Sequence, residues 1–227
     1  MSSLREGIKL YKAKDYEGAL TFFLQHQPSG NEKKGDLTYY IGLSYAKLAS
    51  YESALAYLEQ VVTQEEDLAR VYQCRLILAL IYAKTKRTRM AEFELGKLLE
   101  SGYESVQVFS SMGYVSYEHD DAKKAIDYYR KALAIDKNNS NALNGLGYVL
   151  ADTEKDLQKA LVYCKRALEK EPTNPAYLDS VAWAYFKAGE IKEANAYIKK
   201  ARKEFAGSET INKHAEIIRT AKKGASK

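Results

Sequence analysis

The stretch YLDSVAWAYFKAGEIKEANAYIKKA, at residues 177–201, places two small residues at a fixed distance, because Ala182 precedes Ala194 by 12 positions. Ile198 and Ala201 then follow the second alanine after 4 and 7 positions. Residues at positions i, i+4 and i+7 share one face of an α-helix. The stretch therefore predicts two helices, A and B, joined by a short polar turn, with a small residue of each at their contact.

The same pattern recurs at a nearly constant spacing along the chain. An alanine marks each copy, at Ala19, Ala54, Ala91, Ala125, Ala160 and Ala194, with intervals of 35, 37, 34, 35 and 34 residues. A small residue precedes these alanines by 12 positions, or by 13 in the fifth copy, at Gly7, Gly42, Ala79, Gly113, Gly147 and Ala182. A fixed period in this range predicts an array of one repeated helical unit. A leucine at such a position would overpack the helix contact, at a cost of about 1–3 kcal/mol.

These positions resemble the tetratricopeptide repeat, a pattern of about 34 residues that forms a helix–turn–helix unit. Tyr45, Tyr82 and Tyr185 match the aromatic position of that pattern, whereas other repeats carry Leu or Ser there. Pro172 matches its closing proline in the fifth repeat. The resemblance implies an all-α fold, a right-handed α-solenoid of about six repeats followed by a C-terminal capping helix.

The repeat positions also give the expected boundaries. The predicted array covers residues 1–208, with repeats at about 1–34, 35–71, 72–105, 106–139, 140–174 and 175–208. Residues 209–227 are predicted to form the capping helix and a basic tail. Ser208 is a candidate N-cap of that helix. Ile211, Ala215 and Ile218 would form its apolar stripe, as the end of a repeat array requires.

Composition and charge exclude few classes of protein. The chain has 46% hydrophobic and 29% charged residues and a formal net charge of +5, which are ordinary values for a soluble protein. Its lysines are spread along the chain, whereas a nucleic-acid-binding protein usually gathers them on one face. We predict no membrane span and no signal peptide in the sequence. We expect a cytoplasmic protein; the alternative is a periplasmic or envelope-associated one from which a leader was removed.

Few residue patterns point to chemistry. Residues 118–121, Glu-His-Asp-Asp, fall where a polar A–B turn is expected and lack the spacing of a metal site. Gly145 and Gly147 lack the third glycine and the preceding strand of a dinucleotide-binding loop. Cys164 occupies an apolar repeat position and is predicted to be a core residue. We therefore expect a protein that is not an enzyme and that has no metal and no cofactor.

The resemblance also implies where a partner would bind, because helix A of each repeat lines a concave groove in the family. The residues that match groove positions are the predicted partner-binding residues: Tyr39, Leu43, Lys47, Leu76, Leu80, Lys84, Tyr114, Tyr117, Asn144, Tyr148, Asp179, Trp183, Phe186 and Lys187. Trp183 and Tyr148 are candidate anchors, since buried aromatic residues dominate most interfaces. Leu4 and Ile8 stand where the chaperone-binding branch of the family carries its lysine and asparagine, so that branch is not predicted.

These observations predict a non-enzymatic scaffold or adaptor that binds a peptide or helix of a partner protein in its groove, in the assembly of a larger bacterial complex. Two alternatives stay open. The first is a structural protein that associates with itself into a homo-oligomer. The second, ranked lower, is nucleic-acid binding through scattered lysines and stacking tyrosines.

Overall fold

The computed structural model describes residues 3–28, 34–65 and 67–224, the last three of these by their backbone alone. The described residues form thirteen α-helices and no strand, which confirms the prediction of an all-α helical-repeat fold. The helices are α1 Leu4–Lys12, α2 Tyr16–Gln25, α3 Lys34–Lys47, α4 Tyr51–Gln64, α5 Leu68–Lys84, α6 Thr88–Glu100, α7 Val106–Glu118, α8 Ala122–Ile135, α9 Ser140–Asp152, α10 Leu157–Lys170, α11 Pro175–Lys187, α12 Ile191–Glu204 and α13 Glu209–Gly224. The odd-numbered helices from α1 to α11 are the predicted A helices, and the even-numbered ones are the B helices.

The chain divides into two compact modules, the N-terminal module Met1–Tyr103 and the C-terminal module Glu104–Lys227. The first contains α1–α6, and the second contains α7–α13. Within each module, an A helix packs on the B helix that follows it and on the B helix before it. Helix α13 packs on α12 and α11, in the manner of the A helix of a further repeat. The end of the predicted basic tail, 225–227, and residues 29–33 near the first predicted repeat boundary lie outside the described residues.

Small residues set the distance between paired helices. The six repeat alanines are all fully buried. The small residue of helix A faces the side chain that follows the alanine by four positions. A Cβ added at Gly42 would lie 2.9 Å from Leu58 Cδ2, and one at Gly147 would lie 2.5 Å from Cys164 Sγ. These separations are well inside the optimal contact distance of about 3.5–4.0 Å between carbon atoms, so the helices approach this closely only without that side chain.

Each A–B turn contains one residue in the left-handed conformation, two positions after its A helix ends. These residues are Lys14, Ala49, Lys86, Asp120, Glu154 and Gly189, with φ from 53° to 81°. The amide of the next residue closes the turn; Ser50 N, for example, donates to Tyr45 O at 3.0 Å. This bond satisfies a helix carbonyl in the Schellman arrangement, whose left-handed residue is usually glycine. Here glycine occupies that position in the sixth repeat and larger residues occupy it in the other five.

The last A helix and the helix that follows the sixth repeat both begin at capped residues, and Ser208 is the N-cap that the sequence predicts. Asn174 Oδ1 accepts a hydrogen bond from Ala176 N at 3.0 Å, and Pro175 occupies the first helical position. Ser208 Oγ accepts from the amide of Ile211 at 3.3 Å at the start of α13. Ile211 and Ile218 are buried in one cluster with the last repeat, so α13 covers apolar surface that the array would otherwise expose.

Replacing Gly147 by alanine should destabilise the C-terminal module. The added methyl group would clash with Cys164 Sγ and with the backbone oxygen of Ala160. The backbone oxygen cannot move away by a change of side-chain rotamer. Overpacking costs about 1–3 kcal/mol, and the improved helix propensity returns only about 1 kcal/mol. Urea unfolding followed by circular dichroism should give a lower midpoint. Gly96→Ala on α6 is the matched control, because no atom lies within 4 Å of its Cβ position; its midpoint should stay the same or rise. A raised midpoint for Gly147→Ala would contradict the explanation.

Both cysteines should resist thiol reagents in the folded protein. Cys74 and Cys164 are free and buried, and burial raises the pKa of the Cys164 thiol to about 12. Because the thiolate is the reactive form, the native protein should react with Ellman's reagent at pH 8 only slowly, and both thiols should react at once in urea. Cys164→Ala should halve the signal in urea. Fast stoichiometric labelling of the native protein would show that the repeat core opens.

Candidate functional site

A cleft of about 420 Å³ opens on the face that the A helices form in the N-terminal module. We call this cleft the N-terminal cleft and the surface made by the A helices of a module its A-helix face. The described residues that line the cleft are Tyr11, Leu43, Ala46, Lys47, Ala49, Tyr51, Gln73, Ile77, Leu80, Ile81 and Lys84. Four predicted partner-binding residues therefore meet at one place, Leu43 and Lys47 from α3 and Leu80 and Lys84 from α5.

The lining of the cleft combines aliphatic surface with two cations. Leu43 is only 6% exposed, whereas Leu80 is 46% exposed and offers its side chain to a ligand. Lys47 and Lys84 are both exposed. Lys84 Nζ lies 6.0 Å from the centre of the Tyr51 ring, within the range of a cation–π contact. None of the described residues that line the cleft is acidic. The cleft therefore offers apolar contact and positive charge together.

The other two predicted residues of this module, Tyr39 and Leu76, do not line the cleft. Tyr39 is buried, and its hydroxyl donates to Gln73 Oε1 at 2.7 Å. Its ring lies 5.1 Å from the Arg70 guanidinium, and burial raises the pKa of the Tyr39 hydroxyl, which stays protonated. Because Gln73 lines the cleft, Tyr39 acts on it indirectly, by fixing the orientation of that amide. Leu76 is half-buried on α5.

In the C-terminal module, the predicted residues form a hydrogen-bonded aromatic network around Asp152. The Tyr117 hydroxyl donates to Asp152 Oδ2 at 2.6 Å, and the Trp183 indole N–H donates to Asp152 Oδ1 at 2.9 Å. The Tyr148 ring meets the Tyr117 ring edge-on at 5.6 Å. Burial raises the pKa of the Tyr148 hydroxyl to about 12. Asp152 was not among the predicted site residues, although its distance of 35 positions from Tyr117, one repeat, is a signal for the contact.

Helix α13 extends this network with His214, which the sequence analysis did not select. His214 Nδ1 lies 3.0 and 2.9 Å from the two carboxylate oxygens of Asp179. Its ring stacks on the ring of Trp183 with centres 4.1 Å apart and planes 15° apart. Trp183 is 7% exposed, and Asp179 is similarly buried. The chain's own helix therefore covers the candidate anchor Trp183, whose role in partner binding stays a prediction.

The remaining predicted residues of this module surround the same network. Phe186 stacks on Trp183 with ring centres 5.1 Å apart, and Lys187 Nζ lies 5.4 Å from the centre of the Trp183 ring. Tyr114 is exposed. Asn144 is half-buried, and its Oδ1 atom is buried without a hydrogen-bond partner among the described residues. The structure thus brings Tyr117, Tyr148, Trp183 and Phe186 of the predicted set together in one network.

Hydrogen bonds between neighbouring A helices recur at about the repeat period. They join Tyr39 to Gln73, Tyr117 to Asp152, Asn141 to Tyr177, and Asp179 to His214, over 34, 35, 36 and 35 residues. We call these contacts the polar rungs. Each stands on the A-helix face of one module and fixes one A helix to the next, so the face is held by polar contacts as well as by the apolar core beneath it.

Charge is distributed by helix type within each module, although the lysines are spread along the chain. The A helices of the N-terminal module carry eight basic residues and two acidic ones, namely Arg5, Lys9, Lys12, Lys34, Lys47, Arg70, Arg75 and Lys84 against Glu6 and Asp36. The B helices of that module carry two basic and six acidic residues. In the C-terminal module the signs are exchanged: one basic and three acidic residues on A helices α7, α9 and α11, and thirteen basic and four acidic on the B helices.

The part of the chain that the structure describes contains no group of three or more His, Cys, Asp or Glu side chains able to hold a metal ion. It also contains no helix with the length and apolar character needed to cross a bilayer.

Replacing His214 by alanine should loosen α13 and expose the single tryptophan. The change leaves the buried Asp179 carboxylate without its partner, and an unpaired buried polar group costs about 1–3 kcal/mol or more. We expect the fluorescence of Trp183 to shift to longer wavelength and the amides of α13 to exchange faster with deuterium. Lys213→Ala, at the adjacent exposed position, is the control and should change neither. Unaltered fluorescence and exchange in His214→Ala would show that the contact does not hold α13.

Comparison with known proteins agrees with this architecture. Three sequence profiles of the tetratricopeptide repeat match residues 36–67, 111–175 and 151–212, which together make up more than half of the chain. A tetratricopeptide-repeat-containing protein of Pseudomonas aeruginosa is 24% identical over 163 residues, which are 72% of this chain and 27% of that protein. This chain therefore spans about a quarter of the length of that relative.

Solved structures of low sequence identity share the fold. A tetratricopeptide repeat protein from Parabacteroides merdae superposes with a TM-score of 0.74 at 14% identity, over 95% of this chain and 82% of that one. The APC/C hetero-tetramer of Cut9 and Hcn1 gives a TM-score of 0.78 at 14% identity, over 95% of this chain and 42% of the matched one. YrrB, described as a TPR protein with an unusual peptide-binding site, gives 0.54 at 18% identity, over 88% and 97%. With the repeat alanines, the A–B pairs and these matches, the chain belongs to the tetratricopeptide repeat family.

Proposed function

We propose that this protein is a non-enzymatic scaffold or adaptor whose A-helix face binds a peptide segment or helix of a partner protein. One observation carries the proposal. Leu43, Lys47, Leu80 and Lys84, which their repeat positions select, line one open cleft of about 420 Å³. Repeat position and the geometry of the cleft support the proposal independently.

The physical properties of the N-terminal cleft suit such a ligand. Its volume lies in the range of about 300–1,000 Å³ that is usual for ligand pockets. Nearly half of the Leu80 side chain is exposed at its wall, and exposed apolar surface lined by polar groups is typical of interaction sites. The walls belong to helices that the repeat core already holds in place, so little ordering of the protein opposes binding.

The comparisons support an interaction role. Repeat arrays of this family present extended surfaces to partners, and two solved structures of similar fold are described by a peptide-binding site and by a hetero-tetramer. A role in assembling a larger bacterial complex, in the cytoplasm or, after removal of a leader, in the periplasm or envelope, belongs to the same proposal. So does the continuous array over 1–208 that the repeat spacing predicts.

A selection from random peptides tests the proposed function. Peptides displayed on phage are selected against the full chain, and their affinities are then measured for two variants. Leu80→Lys puts a charge into the apolar part of the cleft and should weaken the selected peptides at least about tenfold, because a buried ligand side chain loses its contact. Val162→Lys on α10 is the matched control, since it changes an aliphatic residue of similar exposure outside the cleft.

The two variants give distinct outcomes. Peptides that lose affinity for Leu80→Lys and keep it for Val162→Lys support binding at the N-terminal cleft. Peptides that bind both variants as tightly as the original chain would place the binding surface elsewhere and contradict the proposal.

A further inference from the structure

We propose that the N-terminal cleft selects an acidic protein segment that carries an aliphatic side chain, such as leucine, between its carboxylates. This inference rests on the proposed function and specifies the chemistry of the partner. The charges around the cleft, its apolar wall and the free donor of one amide support it.

The positive charge at the cleft is not neutralised by the protein. Among the described residues, neither Lys47 nor Lys84 has a carboxylate partner for its ammonium group. Of the two acidic residues on the A helices of this module, Asp36 is already bound to Arg70 at 2.7 Å. Two exposed cations without partners favour a ligand that brings carboxylates to the rim.

The wall of the cleft determines what lies between those carboxylates. Leu80 and Ile77 stand on the same face of α5, and Leu43 of α3 lies across from them in the lining. An aliphatic side chain that enters between these residues would remove their apolar surface from water. The cleft is therefore complementary to a segment that carries an aliphatic side chain between acidic residues.

Gln73 adds a directional contact. Its Oε1 atom accepts the hydrogen bond of the Tyr39 hydroxyl at 2.7 Å. This arrangement leaves the amide N–H groups of Gln73 as donors at the cleft, where a peptide carbonyl is a suitable acceptor. A carbonyl of the ligand backbone would then be fixed while its side chains meet the lysines and the apolar wall.

The charge of the B helices argues for a short acidic segment over a nucleic acid. The B helices of this module carry six acidic residues and two basic ones. A long polyanion that extended beyond the A-helix face would meet this negative field, whereas a few carboxylates at Lys47 and Lys84 would not. The aliphatic lining likewise suits a leucine side chain better than a phosphate chain.

Fluorescence polarisation with three labelled hexapeptides tests the inference on the full chain. The acidic probe is Asp-Glu-Leu-Leu-Asp-Glu, and Gln-Gln-Leu-Leu-Gln-Gln and Lys-Lys-Leu-Leu-Lys-Lys are the neutral and basic probes. We expect the acidic probe to bind at least about tenfold more tightly than the neutral one at low salt, with the difference shrinking as salt screens the lysines. The basic probe should not bind.

A charge-reversal variant of the two lysines distinguishes a changed binding preference from a failure to fold. The double variant Lys47→Glu with Lys84→Glu should bind the acidic probe about tenfold or more weakly and should acquire affinity for the basic probe. A variant that merely failed to fold would bind neither probe. The control is Arg89→Glu with Lys97→Glu on α6, which makes the same change of charge on a B helix and should keep the original preference.

Three results would overturn the inference. Equal binding of the acidic and neutral probes, both weakened by Leu80→Lys, would reject the charge preference and leave the proposed function standing. Competition by a twelve-nucleotide oligothymidylate as strong as that of the acidic peptide would assign the cleft to nucleic acid. Absence of binding by the acidic probe would reject the segment itself, and the peptide selection described above would then decide the proposed function separately.

Discussion

The close approach of helices A and B is the constraint on which the rest of the structure depends. At Gly147 the facing sulfur of Cys164 leaves no room for even one methyl group. The repeat alanine on the other helix, Ala160 in this pair, is fully buried. Because each pair meets through a small residue of helix A and a buried alanine of helix B, each A helix keeps a defined position relative to its B helix, and the A helices of a module come to lie side by side.

The A-helix face results from that packing, and hydrogen bonds between neighbouring A helices stabilise it. The polar rungs lie at different points along the A helices and use different chemistry: a tyrosine and an amide between Tyr39 and Gln73, and an imidazole and a carboxylate between His214 and Asp179. In the N-terminal module the face leaves an open cleft beside a rung. In the C-terminal module α13 supplies the last rung and covers Trp183. The A-helix face is thus accessible at the N-terminal cleft, whereas in the C-terminal module α13 covers it at Trp183.

The sequence predicts the fold well because its signal is local and repeated. The alanine period, the small residues and the cap at Ser208 all correspond to contacts in the structure. Repeat positions select some of the residues that line the cleft, such as Leu43 and Leu80, and they do not select Ile77, which lines it as well. Helix periodicity identifies a face and does not say how far each side chain is buried by neighbouring repeats.

Other features could not be obtained by examining one repeat at a time. The pairing of Asp179 with His214 requires knowing that α13 continues the A-helix series. The exchange of charge sign between the modules becomes visible only when charges are counted separately for A and B helices. The left-handed residues of the turns were not predicted either, because five of the six are not glycine and carry no conformational signature in the sequence.

Those turns have a consequence for how stable the protein could become. A left-handed conformation costs a residue with a side chain about 1–2 kcal/mol relative to glycine, and Ala49 and Lys86 each adopt it where Gly189 does so without strain. The native array therefore lies below the stability that its own backbone permits. Glycine at Lys86, which does not line the N-terminal cleft, would give a more heat-resistant protein with the cleft lining unchanged, a useful background in which to introduce destabilising substitutions there.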